Sequence, residues 1–281
     1  MPLKISIEDL AKAKVHLGHR RAFWNPKMAP FVFTHREGIS IINLEKTLEE
    51  LERALKFLHD LTRKGGVVLF VGTKYQAADL IEKYASLCGM PYINKRWPGG
   101  MLTNFESIKK NLEKIKKLEE FKESETFKNY TKREKAKITK ELERLLEVFK
   151  GVRNLTSLPD ALFIVDVVYE KNAVKEAREL NIPIVAIVDT NGNPDLIDYP
   201  IPANDDSIES LSLLIPLISQ AIKEEKKEEV ITRKKEEKEE KMISDEELES
   251  ESELIEEEIR EEMEEEEGKK RIAKIGRDKE S

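Results

Sequence analysis

The sequence predicts an α/β fold built on a mostly parallel sheet, and three stretches predict it. Val67 to Val71 is an uninterrupted apolar run, rich in β-branched residues and preceded and followed by glycines. A strand that is apolar at every position has both faces covered, as inside a parallel sheet flanked by helices. From Lys74 the period turns helical, with Ala77, Ala78, Ile81 and Ala85 on one side. Ala161 to Val168 and Ile182 to Asn191 repeat the strand theme around a short helix. In such a sheet function is expected at the carboxyl ends of the strands, or on whatever is inserted between them.

Composition bounds the number of domains. With 281 residues and 39% hydrophobic content the chain can build one sizeable core, but the last fifth is far poorer in apolar residues. The expected organisation is one body over residues 1–222 and a charged, acidic, low-complexity tail over 223–281. The formal charge is −7, yet the tail alone carries 15 Lys and Arg against 25 Asp and Glu, which leaves 34 against 31 in the body. The body is therefore mildly basic at +3, and the isoelectric point of about 5.5 does not argue against a nucleic-acid partner. Cys88 is the only cysteine, which excludes an intrachain disulfide and suits a reducing cytosol. No apolar run approaches the roughly 20 residues that span a bilayer, and MPLKISIEDLAKAK lacks the apolar core of a signal peptide, so a soluble, cytoplasmic protein is expected.

Taken in order, Ser6 caps a short helix in an S-x-x-D variant of the capping box. The segment VHLGHRRAFWNPKM follows. His16, His19, Arg20, Arg21, Phe23, Trp24, Asn25 and Lys27 surround Gly18 and Pro26, an inventory that meets phosphates and unstacked bases. A surface loop anchored by its Trp is the plainer alternative. Two histidines three apart could share a metal on one helical face, but a four-ligand spacing is missing and no metal is expected. Phe31 to Thr34 and Ile39 to Ile42 flank HREG as a β-hairpin, with Gly38 supplying the unusual backbone angle. After Asn43, a plausible cap, Leu44, Leu48, Leu51, Leu55, Leu58 and Leu61 mark an amphipathic helix that covers the sheet.

At Gly72-Thr73-Lys74 the backbone N–H groups opening a helix attract anions. The glycine patterns that cradle a nucleotide are absent, so an ordinary strand-to-helix turn is favoured, with an RNA phosphate as the other occupant. After a short strand at Pro91 to Asn94, Lys95, Arg96 and Trp97 precede Gly99-Gly100, and Thr103 with Glu106 reads as a capping box. Phe105, Ile108, Leu112, Ile115 and Leu118 give one helical stripe, and Ile138, Leu142, Leu145 and Phe149 a second behind Thr131 and Glu134. Together they predict an antiparallel coiled-coil hairpin inserted over residues 104–150. Its many outward lysines are diluted by glutamates and read mostly as solvated faces.

Asp166 and Asp189 end successive strands, and Asp195, Asp198, Asp205 and Asp206 crowd the loops after them. Such carboxylates could hold Mg²⁺ or act as a base. The structural reading is favoured: Asn193-Pro194, Asp198 and Pro200 to Pro202 form turns, and Asn204 to Ser207 cap a helix from Ile208 to about Lys223. The tail beyond, with only a weak stripe at Leu248, Ile255 and Ile259, is expected to be disordered or helical by itself.

VHLGHRRAFWNPKM, LFVGTKYQA, RWPGGMLTNF, LPDALFIVD and VAIVDTNGNPDLIDYPIPANDDSI, in this order and spacing, closely resemble the bacterial form of the family of ribosomal protein two of the small subunit, over roughly Ile5 to Lys223. The resemblance implies a flavodoxin-like (Rossmann-like) three-layer sandwich with a protruding coiled coil. It implies a structural constituent of the small ribosomal subunit, without enzymatic activity, cofactor, DNA or membrane partner. Such a protein binds small-subunit ribosomal RNA between head and body on the solvent side and helps to dock ribosomal protein one, which gathers messenger RNA. Three positions depart from the family's habit: Pro98 for Leu, Asn193 for Asp and Ala203 for Gly. The RNA-binding candidates are His16, His19, Arg20, Arg21, Lys27, Lys74, Lys95 and Arg96, with Trp24 and Trp97 as packing anchors. The rival reading is a nucleotide-binding α/β enzyme working at the strand ends, and a further one is an adaptor whose acidic tail recruits basic proteins.

Overall fold

The computed structural model describes residues 5–223. The acidic tail therefore lies outside the described residues, except for Lys223, which is still helical. The elements are α1 (Ile7–Lys12), β1 (Leu17–Arg20), β2 (Val32–Arg36), β3 (Ile39–Ile42), α2 (Leu44–Arg63), β4 (Val68–Val71), α3 (Tyr75–Cys88), β5 (Tyr92–Ile93), α4 (Phe105–Glu123), α5 (Glu125–Lys128), α6 (Lys132–Phe149), β6 (Ala161–Val165), α7 (Lys171–Glu179), β7 (Ile184–Val188), β8 (Tyr199–Pro202) and α8 (residues 208–223). Among the described residues no helix is long and apolar enough to cross a membrane.

Strands β4 to β8 form one parallel sheet in the order β5-β4-β6-β7-β8. The first strand of the sheet lies inside it and the winding reverses between β4 and β6, which is the flavodoxin-like order with its switch point there. Complete burial follows from alternation. Leu69, Val71, Leu162, Ile164, Ala186 and Val188 face a core shared with α7 and the hairpin root. Val68, Phe70, Phe163, Val165, Val185 and Ile187 face a second core under α2, α3 and α8. Phe70 and Phe163 meet edge to face across adjacent strands, with centroids 5.2 Å apart.

The local signals hold where a side chain has no competing partner. Ser6 and Asp9 close the first capping box, Asn43 accepts from the N–H groups of Glu45 and Lys46, and Thr131 with Glu134 closes the box that opens α6. The β2–β3 turn places Glu37 and Gly38 at positive φ, 51° and 77°. In the hairpin, Ile108, Leu112 and Ile115 of α4 pack with Leu142 and Phe149 of α6 in one core, Lys114 pairs with Glu141, and Phe121 meets Phe127 and Tyr130 at the turn.

Three expectations are corrected. The loop alternative for VHLGHRR does not hold: Leu17–Arg20 is β1, which pairs antiparallel with β3 in a separate three-stranded sheet of order β1-β3-β2. Pro200 to Pro202 is no turn but the edge strand β8. Ala203 N–H donates to Val188, and the alternation leaves both proline nitrogens on the open edge, where no ladder donor is required. The carbonyl of Pro202 accepts from buried Thr47 at 2.6 Å. Thr103 does not cap α4. Asn104 stands at that position without a side-chain cap, because the hydroxyl of Thr103 donates to Glu176 at 3.2 Å.

Between α6 and β6 the chain passes so close to β5 that a Cβ on Gly151 would stand 2.2 Å from the carbonyl oxygen of Tyr92. Gly151→Ala is expected to destabilise the body by about 1–3 kcal/mol, as overpacking does in a filled interior. Denaturant unfolding of the full chain measures this.

Candidate nucleic-acid interface

All five strands run in one direction, so the segments after β4, β5, β6, β7 and β8 line a single carboxyl edge. Lys74 follows β4 and points inward, its side chain only 13% exposed. Its Nζ lies 2.9 Å from Asp166 at the end of β6, 2.8 Å from Asp205 and 2.5 Å from Asp206 after β8. Burial opposes its charge, but Asp205, Asp206 and Asp166 raise its pKa above the usual value. Asp166 adopts a φ of 68°, and its second oxygen accepts from the N–H groups of Val168 and Tyr169. Beside it Glu170 accepts from the N–H and hydroxyl of Thr73, at 2.7 and 2.6 Å. The N–H of Thr73, one residue before the cap of α3, is thus taken by the chain's own carboxylate.

His19 joins the same cluster from β1. Its N–H donates to Asp189 and Thr190, its Nδ1 lies 3.1 Å from Asp189 Oδ2 and its Nε2 3.3 Å from Asp206 Oδ2. The approach needs Gly18, since a Cβ there would stand 2.5 Å from Thr190 Cγ2. The hydrogen bond to Asp189, opposed by burial and aided by the charges of Asp189, Asp205 and Asp206, pushes the pKa of His19 up to about 9. Burial, with Asp166 and Asp189 adding repulsion and Lys74 opposing, pushes Asp205 up to about 8. One donor atom each from His19, Asp205 and Asp206 lies within 4.8 Å of the others, close enough for a metal ion to bridge.

The remaining predicted residues separate into two groups. Arg20, Arg21, Lys95 and Arg96 are exposed and form no ion pair among the described residues. Lys27 is exposed but paired with Asp195 at 2.6 Å. His16 is half-buried, with Nδ1 enclosed and unpartnered. The two tryptophans pack inward. Trp97 is 7% exposed and donates its indole N–H to Glu176, whereas Trp24 stands edge-on to His35. The exposed ring of the segment is Phe23, at 66%. Lys95 and Arg96 follow the edge strand β5, three strand positions from β7, which is roughly 14 Å at the usual strand spacing.

Sequence reasoning missed Glu170, which stands directly before α7, and Glu176 within it, each with a lysine beside it in the chain. A glutamate in a short helix next to a Gly-Gly loop gives no periodic signal of its partners.

A family model described as Ribosomal protein S2 matches residues 10–225. Two curated relatives, each called small ribosomal subunit protein uS2 and coming from two different strains of Thermus thermophilus, are 48% identical over 215 residues, covering 76% of this chain and 84% of theirs.

His19 and Asp205 both bind protons more readily folded than unfolded. His19 stabilises the fold fully below its unfolded pKa of 6.5 and loses that contribution as pH rises to 9; Asp205, whose folded pKa is also raised, disfavours the fold increasingly as pH climbs from 3.8 to 8. Raising pH from 6.5 to 9.5 is therefore expected to lower the unfolding midpoint by about 2–4 °C, a solvent-discounted ~1 kcal/mol. His19→Gln should flatten this dependence in calorimetric scans.

Proposed function

Because the chain belongs to the ribosomal protein S2 family, structural and non-enzymatic components of the small ribosomal subunit, we propose that its carboxyl sheet edge meets ribosomal RNA through Arg20, Arg21, Lys95 and Arg96. The observation that carries this reading is that these four cations are exposed and form no ion pair among the described residues, while Lys74, His19 and Lys27 of the same region are held by the chain's own carboxylates. Lys27 adds a fifth contact when a phosphate replaces Asp195. His16, His19 and Lys74 support the interface from inside, holding the amino-terminal segment and the strand ends in place. The nucleotide-enzyme alternative has no room at the strand ends: Lys74 is enclosed by three carboxylates and the N–H of Thr73 is occupied by Glu170.

Docking of ribosomal protein one belongs to another surface. A cleft of about 330 Å³ is lined by Ile7, His16, Ile42 and Leu44, with Phe33 on its rim at 72% exposure. A large ring left in solvent beside an apolar cleft supports a protein-docking site there.

Each phosphate contact adds about −0.9 to the slope of log affinity against log salt on duplex RNA-like polyanions, and about −0.7 on single strands. Arg20→Ala/Arg21→Ala and Lys95→Ala/Arg96→Ala are each expected to flatten the slope by about 1.4–1.8 in filter binding to a small-subunit rRNA transcript. Unchanged affinity and slope in both would overturn the reading. Phe33→Ala should weaken retention of ribosomal protein one on reconstituted small subunits about thirtyfold, the scale of a hot-spot ring, with RNA affinity unchanged.

A further inference from the structure

Five donors from one short stretch converge on a single carboxylate. Glu176 Oε1 accepts from the indole N–H of Trp97 at 3.0 Å and from Gly100 N–H at 2.9 Å. Its Oε2 accepts from Leu102 N–H at 2.9 Å and from the N–H and hydroxyl of Thr103, both at 3.2 Å. Residues 94–104 carry no helix or strand, so these groups have no ladder to satisfy them. Within the stretch the chain bonds itself only sparsely, through Met101 to Pro98 and Asn104 to Gly100. Gly100 takes a φ of 76°, the left-handed bend that brings the donors on either side to face one point.

Such a cluster of N–H groups in a bent loop is ordinarily a site for an external anion. Here it is occupied by a nearly buried side chain from α7. Burial opposes ionisation of Glu176, but the donors of Trp97, Leu102, Thr103 and Gly100 outweigh it and hold its carboxyl below the usual range. The five donors are thereby taken by the chain itself, and two exposed cations stand directly before Trp97.

We infer that Glu176 is a positioning residue for RNA binding, setting the direction of Lys95 and Arg96 by fixing the loop that begins at Trp97. This rests on the reading that Lys95 and Arg96 meet rRNA phosphates. The carboxylate acts through the loop and touches no RNA itself.

A double-mutant cycle on the full chain tests it, with filter binding to a full-length small-subunit rRNA transcript at fixed salt. Glu176→Gln keeps the size of the side chain but turns an amide donor toward N–H groups. It is expected to weaken binding about tenfold in the native background and less than about twofold once Lys95→Ala/Arg96→Ala is present, because residues acting as a unit are not additive. Trp97→Phe removes one donor while leaving the carboxylate intact, and is expected to give about a threefold loss with the same dependence on background. It also serves if Glu176→Gln does not fold. The ¹⁵N–¹H indole resonance of Trp97 should move in Glu176→Gln and remain in place in Lys95→Ala/Arg96→Ala. Equal losses in both backgrounds, or no loss, would reduce Glu176 to a structural support and overturn the proposal alone. If Lys95→Ala/Arg96→Ala itself binds as the native chain does, the proposal falls together with the reading beneath it.

Discussion

The ammonium group of Lys74, held among Asp166, Asp205 and Asp206, is the contact that lets this sheet end as it does. Three of its parallel strands lead into aspartates, and gathered at one edge these would repel one another and lose their hydration. An unpaired buried charge is very costly, and removing one partner of a buried pair typically costs about 3–5 kcal/mol. Lys74 supplies the counter-charge from β4, and His19 supplies a second from β1 through Asp189 and Asp206. The same ions that neutralise the strand ends therefore fasten the small antiparallel sheet to the large parallel one. The arrangement is only possible because Gly18 lets the two backbones approach and because Asp166 tolerates a left-handed bend.

A second regularity concerns where the acids point. Asp160 accepts from Val67 N–H, Asp198 from Ile184 N–H, Glu170 from Thr73, and Glu176 from the loop before α4. Each carboxylate satisfies backbone donors that begin a strand, a helix or a bend. The body is close to electrically balanced, yet many of its negative groups are engaged with its own backbone while arginines and lysines remain in solvent.

The fold was largely legible in the sequence because its signals are local. The runs at Val67 and Ala161 could only be buried strands, and Asn43 and Thr131 cap the helices that follow them. What escaped was long-range. β1 was hidden because its alternation is broken by histidine and glycine, residues suited to a contact with Thr190, 171 positions away. β8 was hidden by prolines, which an edge strand accepts and a central strand does not. Thr103 carried the right capping pattern but met a stronger acceptor in Glu176. In the candidate interface the residue types were readable and their states were not: nothing near Lys74 in the chain distinguishes it from Lys95, and only the fold turns one inward and the other out.

The helical hairpin gives these anchors a mechanical meaning. α4 has 19 residues, so the hairpin reaches about 28 Å from its root, and a swing of about 10° there would carry its far end through about 5 Å. Angular tolerance is consequently narrowest where the two helices leave the body. That is where Glu176 grips the outgoing chain, Lys150 pairs with Glu82 on the returning one, and Gly151 lies flush against Tyr92. A lever of that length is held stiff at its mounting, whereas its far end is closed by three aromatic rings.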